Sequence, residues 1–283
     1  MNTYPGLPFK QYQQMTGMNF SSLIKLKKTP AHYKWAKDHP IDPSPAMLVG
    51  SIVHTGLLEP QHLINEYAVA PKVDRRTKVG KEEWENFCIT NMERTVVDKA
   101  TYDKASGMMQ SVRNHPFAND LLAPSKGTSE LTIAFDWPDP RNDMKARIDR
   151  LNGDDTIIDI KTTRDVKSFS KSLYNFGYHI QAAIYIEAAN SAGNAIDHYY
   201  FICVESEAPY GVGVYKLCLA AIDEGFMQAT DLLQRYNSLS MYDEWPATYN
   251  SSYSPVDLPA WAYEESQGKA TVGKVSHAIN SQG

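Results

Sequence analysis

Residues 144–163 read Met144-Lys-Ala-Arg-Ile-Asp149-Arg-Leu-Asn-Gly-Asp-Asp-Thr-Ile-Ile-Asp159-Ile-Lys161-Thr-Thr163. They predict two strands joined by a short turn. Side chains alternate across a strand, so Asp159 and Lys161 share one face while Ile158 and Ile160 share the other. A carboxylate and a lysine inside an apolar strand cost free energy unless a metal, substrate or partner compensates them. On the preceding strand Lys145, Arg147 and Asp149 share a face, and Met144, Ala146 and Ile148 oppose it.

The turn decides whether Asp149 joins that face. A two-residue Asn152-Gly153 turn, the favoured chemistry for such a pair, would project Asp149 away from Asp159. A loop with an odd number of residues, centred near Asp154, brings Asp149 to the side of Asp159 and Lys161, and the odd loop is the expectation. Two carboxylates close together repel unless a cation lies between them, and hard oxygen donors suit Mg²⁺ or Mn²⁺. The bland alternative is a surface salt-bridge cluster of Arg147, Asp149 and Lys161.

The rest of the chain bounds the answer. Its 283 residues, 42% hydrophobic and 22% charged, suit one sizeable globular domain. No stretch approaches the roughly 18 apolar residues of a membrane helix, and the N-terminus shows no signal-peptide pattern. Cys88, Cys203 and Cys218 match no zinc spacing and suit a reducing, cytoplasmic setting. The net charge of −5 is uneven: residues 1–113 carry +4, residues 114–190 carry −2 and residues 191–283 carry −7. An anionic ligand is therefore compatible with the basic N-terminal part.

Along the chain, Ser21 is expected to cap a helix to about Lys37, with Thr29-Pro30 as a break point. A second helix is expected over Ala46–Leu58, a short extended segment over Tyr67–Pro71, and one or two helices over 80–113. Strands are expected at Glu130–Trp137, Met144–Leu151, Thr156–Thr163, His198–Val204 and Val212–Leu219. Helices are expected at Ser168–Leu173, Tyr178–Asn190 and about Ile222–Tyr236. This order predicts an α/β fold in which a mixed central sheet is flanked by helices, with a mainly helical N-terminal part. The single domain is drawn at 1–268, helical to about 120 with the sheet core at 121–240; 269–283 reads as a disordered tail.

Ala146-Arg-Ile-Asp149 followed by Ile157-Ile-Asp159-Ile-Lys161-Thr-Thr163 resembles the PD-(D/E)XK nuclease core, and specifically the RecE-type exodeoxyribonucleases (exonuclease VIII) and their phage relatives. Three more segments are similar in the right order. They are Phe20-Ser-Ser-Leu-Ile-Lys with Thr29-Pro-Ala-His-Tyr33, Gly50-Ser-Ile-Val-His54-Thr-Gly-Leu-Leu-Glu59-Pro60, and Tyr178-His-Ile-Gln181-Ala-Ala-Ile-Tyr185.

The resemblance implies Asp149 and Asp159 as metal-binding acids, with Ile160 and His54 completing the metal site, and Lys161 as the catalytic lysine. By itself a lone histidine on an apolar helix is ordinarily a core residue. Gly50, one turn before His54, leaves room for close approach of backbone or ligand. Gln181 and Tyr185, four apart on one helix face, either contact DNA or brace the lysine. Glu130 is either an auxiliary ligand or a strand-start charge. Arg75, Arg76, Lys78 and Lys81 are candidates for DNA phosphates, with Lys25, Lys27 and Lys28 tracking backbone; a solvated surface is the default for such clusters.

The implied activity is an Mg²⁺-dependent (Mn²⁺ as substitute) 5′→3′ double-strand DNA exonuclease that leaves 3′ single strands for recombination. The implied partners are DNA ends, a RecT-like single-strand annealing protein and copies of the chain itself in a ring trimer or tetramer. The implied setting is a bacterial or phage-infected cytoplasm. The alternatives are a single-strand, flap or end-processing nuclease of the same superfamily, a catalytically silent DNA-binding or assembly module, and more remotely an unrelated Mg²⁺ phosphohydrolase.

Overall fold

The computed structural model describes residues 1–139, 141–249 and 252–258. The tail expected at 269–283 lies outside the described residues. Met1–Pro246 form one compact unit, and residues 247–283 are a second. Among the described residues of that second unit there is no helix or strand.

In the first unit the strands are β1 (Asn2–Tyr4), β2 (Tyr67–Val69), β3 (Thr95–Val97), β4 (Gly127–Trp137), β5 (Asn142–Asn152), β6 (Thr156–Thr163), β7 (His198–Glu205) and β8 (Val212–Lys216). The helices begin with α1 (Phe9–Gln14), α2 (Phe20–Leu23), α3 (Pro30–Asp38), α4 (Pro45–Leu58), α5 (Leu63–Glu66) and α6 (Lys78–Thr90). They continue with α7 (Lys99–Asn114), α8 (Pro116–Leu121), α9 (Phe169–Asn175), α10 (Tyr178–Ser191) and α11 (Leu219–Tyr242).

The main sheet has the order β1-β4-β5-β6-β7-β8. Only β6 and β7 are parallel, joined by a crossover through α9 and α10; the other neighbours run antiparallel. Helices cover both faces. On one side Ile133, Ile148, Ile157 and Phe201 pack with α10 and α11 residues such as Ile184 and Leu233. On the other, Ile158, Ile160, Ile202 and Val204 pack with Ile52 of α4 and Met108 of α7. The expected mixed sheet between helical layers is what the chain forms. Among the described residues no helix is long and apolar enough to cross a membrane.

Local chemistry explains several boundaries. Ser44 caps α4 by accepting from the Met47 N–H at 3.3 Å, with Pro45 at its first position. Asp98 caps α7 through the Thr101 N–H at 2.8 Å. The single helix expected from Ser21 to Lys37 is instead α2, a 3₁₀ turn over Ile24–Lys27, and α3. Pro30 lacks an N–H and forces Thr29 into an extended conformation. The cap at the start of α2 is Asn19, which accepts from the Ser22 N–H at 2.9 Å, rather than Ser21. The sequence reading also misses β1 and β3, three-residue strands defined only by their partners β4 and β2.

The β5–β6 turn contains three residues, because Asn152 pairs with Thr156. Gly153 takes φ +56°, the left-handed region where a glycine is unstrained. The count is therefore odd, and Asn-Gly is not used as a two-residue turn.

Candidate active site

With that register, Asp149 lies across from Asp159. The backbone ladder between β5 and β6 ends at Arg150–Ile158. Beyond it the Asp149 Oδ2 accepts from the Ile160 N–H at 2.8 Å, so a side chain replaces the missing backbone acceptor. The strands part here, and the gap is reached by groups from both helical layers.

A conformational break marks the same place. Glu130 has φ +52°, uncommon and strained for a residue with a Cβ. Regular pairing resumes on either side, with Leu131 opposite Ile148 and Ser129 opposite Arg150. Ile148 packs into the core beneath α10 and α11. Arg150, two residues on, turns to the other layer and donates to the Leu121 and Ala123 carbonyls. Both chains thus turn over at Glu130 and Asp149, which carries Asp149 to the boundary between the two cores.

His54, on α4, brings its Nδ1 to 3.4 Å from the Asp149 Oδ2. On the opposite layer Asp159, fully buried, is held by two donors: the Lys161 ammonium on Oδ1, and the Tyr199 hydroxyl on Oδ2 at 2.9 Å. The Lys161 Nζ also donates to the Gln181 Oε1 at 3.0 Å and sits 4.6 Å from the Tyr178 ring centroid. The Gln181 Nε2 in turn donates to the Tyr185 hydroxyl at 3.0 Å. Of the two readings open for Gln181 and Tyr185, these hydrogen bonds are those of a brace on the lysine.

Electrostatics follow from burial. Desolvation raises the Asp159 carboxyl to about 6, against the pull of Lys161 and with the Asp149 charge adding to the rise. Desolvation works against the Lys161 ammonium, but Asp159 and Asp149 outweigh it and hold it above the ordinary lysine value. Desolvation, then the Asp149 charge, raises Glu130 to about 7, although Arg147 opposes this. Burial keeps the Tyr185 and Tyr199 hydroxyls protonated, so both remain donors at neutral pH.

Burial thus raises both Glu130 and Asp159, and the Asp149 charge adds to the rise of each. Oxygen donors with one imidazole suit a divalent cation in kind, and such an ion would offset that excess charge. Among the described residues no three His, Cys, Asp or Glu side chains are already gathered into a cage. Mg²⁺ keeps several waters and takes only one or two carboxylates, so it does not require one. The Ile160 side chain is buried in the core, which leaves its backbone as the only part that can reach the gap.

Other candidate residues stand elsewhere. Arg147 does not join Asp149 and Lys161 in a salt-bridge cluster. It binds Glu130 and the Leu7 carbonyl, and approaches Glu59 at 4.0 Å. Glu130 is therefore tied into the gap rather than being a loose strand-start charge. Among the described contacts none links Arg75, Arg76, Lys78 or Lys81 to the gap. Arg75 lies over the Trp84 ring at 4.3 Å, Arg76 pairs with Asp74 at 3.0 Å, and Lys78 approaches Glu82 at 4.0 Å. A Cβ on Gly50 would meet only the Thr162 Oγ1, at 3.6 Å, so no close protein approach requires that glycine. The sequence reading missed Tyr199 and the clamp role of Arg147. Tyr199 is 40 residues from Asp159 and reaches it only through the β6–β7 pairing. Tyr178 was legible in part, as the start of the segment that contains Gln181.

The chain's fold is shared by a crystal structure from Eubacterium rectale that is provisionally described as an exonuclease. The two are 14% identical, superpose with a TM-score of 0.60, and match over 91% of this chain and 97% of that one. A second solved structure, SSO0001, is 15% identical over 68% of this chain and 87% of its own, but its TM-score of 0.30 is too low to inform the fold. No curated protein matches the sequence. Residues 19–252, which include the whole gap from His54 to Tyr199, match the PDDEXK-like domain of unknown function (DUF3799), and the chain belongs to that family.

Proposed function

We propose that the protein is a divalent-metal-dependent exodeoxyribonuclease acting on double-stranded DNA ends. The family and the shared fold support a nuclease. The observation that carries the reading is the connected set at the parted strands: Asp149 beside His54, and Asp159 bound to a lysine that Gln181 and Tyr185 brace.

Asp149 and Asp159, with His54 and the backbone of Ile160, are the groups that would hold Mg²⁺ or Mn²⁺. Such an ion would polarise a phosphoryl oxygen and lower the pKa of a bound water. The chain's own residues do the rest. Lys161 holds its charge at neutral pH and presents it to the phosphoryl group or the attacking water. The Gln181–Tyr185 brace restricts the lysine rotamer, so less order is lost on reaching the transition state. The Tyr199 hydroxyl orients Asp159, and Arg147 holds Glu130 at the edge of the gap.

The 5′→3′ polarity, the 3′ single-stranded product, the ring trimer or tetramer and the RecT-like annealing partner rest on the resemblance of the sequence motifs to RecE-type enzymes. Arg75, Arg76, Lys78 and Lys81 remain candidates for DNA phosphates. Backbone contacts of that kind carry no base information and suit an enzyme indifferent to sequence.

The test digests end-labelled linear duplex with Mg²⁺, comparing 5′-phosphate with 5′-hydroxyl ends, beside Asp159→Ala and Lys161→Ala. Both variants are expected to lose cleavage. Undiminished cleavage in both removes the proposed site, and equal degradation of closed circles removes the dependence on ends.

A further inference from the structure

Resting on the nuclease reading, we propose that Tyr174 and Phe176 form a stacking platform for unpaired nucleobases at a DNA end, beside the Lys161 centre. The two rings are 66% and 59% exposed, although only one residue separates them. Large aromatics left mostly in water bury little surface on folding, whereas flat exposed rings take bases by stacking regardless of sequence.

The rings are not on a loose loop. The Phe176 N–H donates to the Ser172 carbonyl at 3.0 Å, and the Gly177 N–H to the Tyr174 carbonyl at 3.1 Å. Gly177 takes φ +70°, and a Cβ there would lie 2.6 Å from the Ile24 Cδ1, so α2 and its following turn wedge the junction. From this tip a chain of contacts runs inward. Phe176 packs on Tyr178 with centroids 5.5 Å apart, and Tyr178 lies under the Lys161 ammonium. Tyr174 stacks on His179 with an interplanar angle of 4° and has the Lys27 ammonium 5.2 Å from its centroid.

Charge selects the occupant. Residues 161–181 carry Lys161, Arg164, Lys167 and Lys171 against Asp165 alone, in a chain whose net charge is −5. An exposed ring beside the Lys27 ammonium, on a segment rich in cations, suits a nucleic-acid strand, with phosphates on the ammonium groups and bases on the rings. In a duplex the base faces are already stacked on one another, so the platform takes unpaired bases. A base held there keeps its strand close to the lysine two ring contacts away.

The test measures dissociation constants by fluorescence anisotropy, in chelator and at fixed salt, for blunt duplex and for the same duplex with a short thymidine tail. For the wild-type protein the tail is expected to tighten binding by about tenfold. The Tyr174→Ala/Phe176→Ala double variant should lose that gain while its affinity for blunt duplex changes by less than about twofold. Tyr174→Phe/Phe176→Trp should retain it. A double variant that keeps the tail gain overturns the platform, as does a wild-type protein that cuts DNA without gaining from the tail. A double variant that keeps the gain but loses self-association assigns the rings to a protein interface instead. A wild-type protein that neither binds nor cuts any DNA sinks the nuclease reading itself.

Discussion

Gly225→Ala is expected to weaken the fold, although alanine is the better helix former. Gly225 lies on α11 where that helix crosses the first turn of α10. A Cβ at this position would sit 2.2 Å from the His179 carbonyl oxygen, 2.8 Å from its carbon and 3.1 Å from the Ala183 Cβ. The first two are backbone atoms and cannot swing aside. Ordinary van der Waals contact begins near 3.4 Å, so the helices must separate by roughly 1 Å. Overpacking of this kind costs about 1–3 kcal/mol. The gain in helix propensity returns about 0.8–1.0 kcal/mol. Backbone atoms at 2.2 and 2.8 Å place the cost in the upper part of the overpacking range, about 2–3 kcal/mol. The net loss is then on the order of 1–2 kcal/mol, which lowers the melting temperature by roughly 2–8 °C for a domain of this size.

Gly50→Ala is the matched control. It is also a glycine inside a helix, but its Cβ would meet only the Thr162 Oγ1 at an ordinary 3.6 Å. Propensity should dominate there and stabilise the protein by up to about 1 kcal/mol. Thermal and urea unfolding followed by circular dichroism would compare the three proteins. Opposite signs are the expected result. If Gly225→Ala matches or exceeds the wild-type stability, the close approach of α10 and α11 does not constrain the fold and the reasoning fails. Because α10 carries the Gln181 brace, nuclease activity should fall in Gly225→Ala even where the protein is fully folded.

Three further outcomes are expected. Tyr199→Phe removes the hydroxyl that donates to the buried Asp159, and urea unfolding should show a loss of about 1.5–3 kcal/mol, the range for a hydrogen bond to a charged group. Burial raises Glu130 to about 7 and Asp159 to about 6. The folded state then holds these protons more tightly than the unfolded chain, so their contribution to stability is fully present below about pH 4 and is lost by about pH 7. Melting curves in chelator should show that decline, Mg²⁺ should offset it near neutral pH, and a Glu130→Gln variant with an unaltered slope would contradict the assignment. The Lys145 Nζ donates to the carbonyls of Tyr12, Gln13 and Met15. Lys145→Met leaves those acceptors without their donor and should cost about 2 kcal/mol or more, with limited proteolysis reaching the segment before Met18 sooner than in the wild type.

Much of the site was legible because its rules are local. Period-two alternation in residues 144–163 marks both strands, and once the turn is odd, parity alone sets Asp149 across from Asp159. The Asn152-Gly153 pair by itself favours the even turn. Gln181 and Tyr185 share a helix face by spacing alone. Helix boundaries followed from equally local chemistry where a proline or a capping side chain supplied it. The helix expected through Ile24–Lys27 failed because the Thr29-Pro30 junction outweighs the apolar periodicity around it.

The sequence by itself determined the longer strands and the candidate acids on them, because alternation depends on neighbours within a few residues. Tertiary structure decided what those acids touch. Parallel pairing brings Tyr199 of β7 to Asp159. Packing of α4 sets His54 against Asp149, and the strained Glu130 turns both strands over so that Asp149 reaches the gap. Arg147, which the salt-bridge alternative placed with Asp149 and Lys161, is taken by Glu130 of the neighbouring strand and by the Leu7 carbonyl, 140 residues away. Alternation specifies the face on which a side chain emerges, but burial and the demand that every buried charge find a partner select the partner, and both depend on the whole fold.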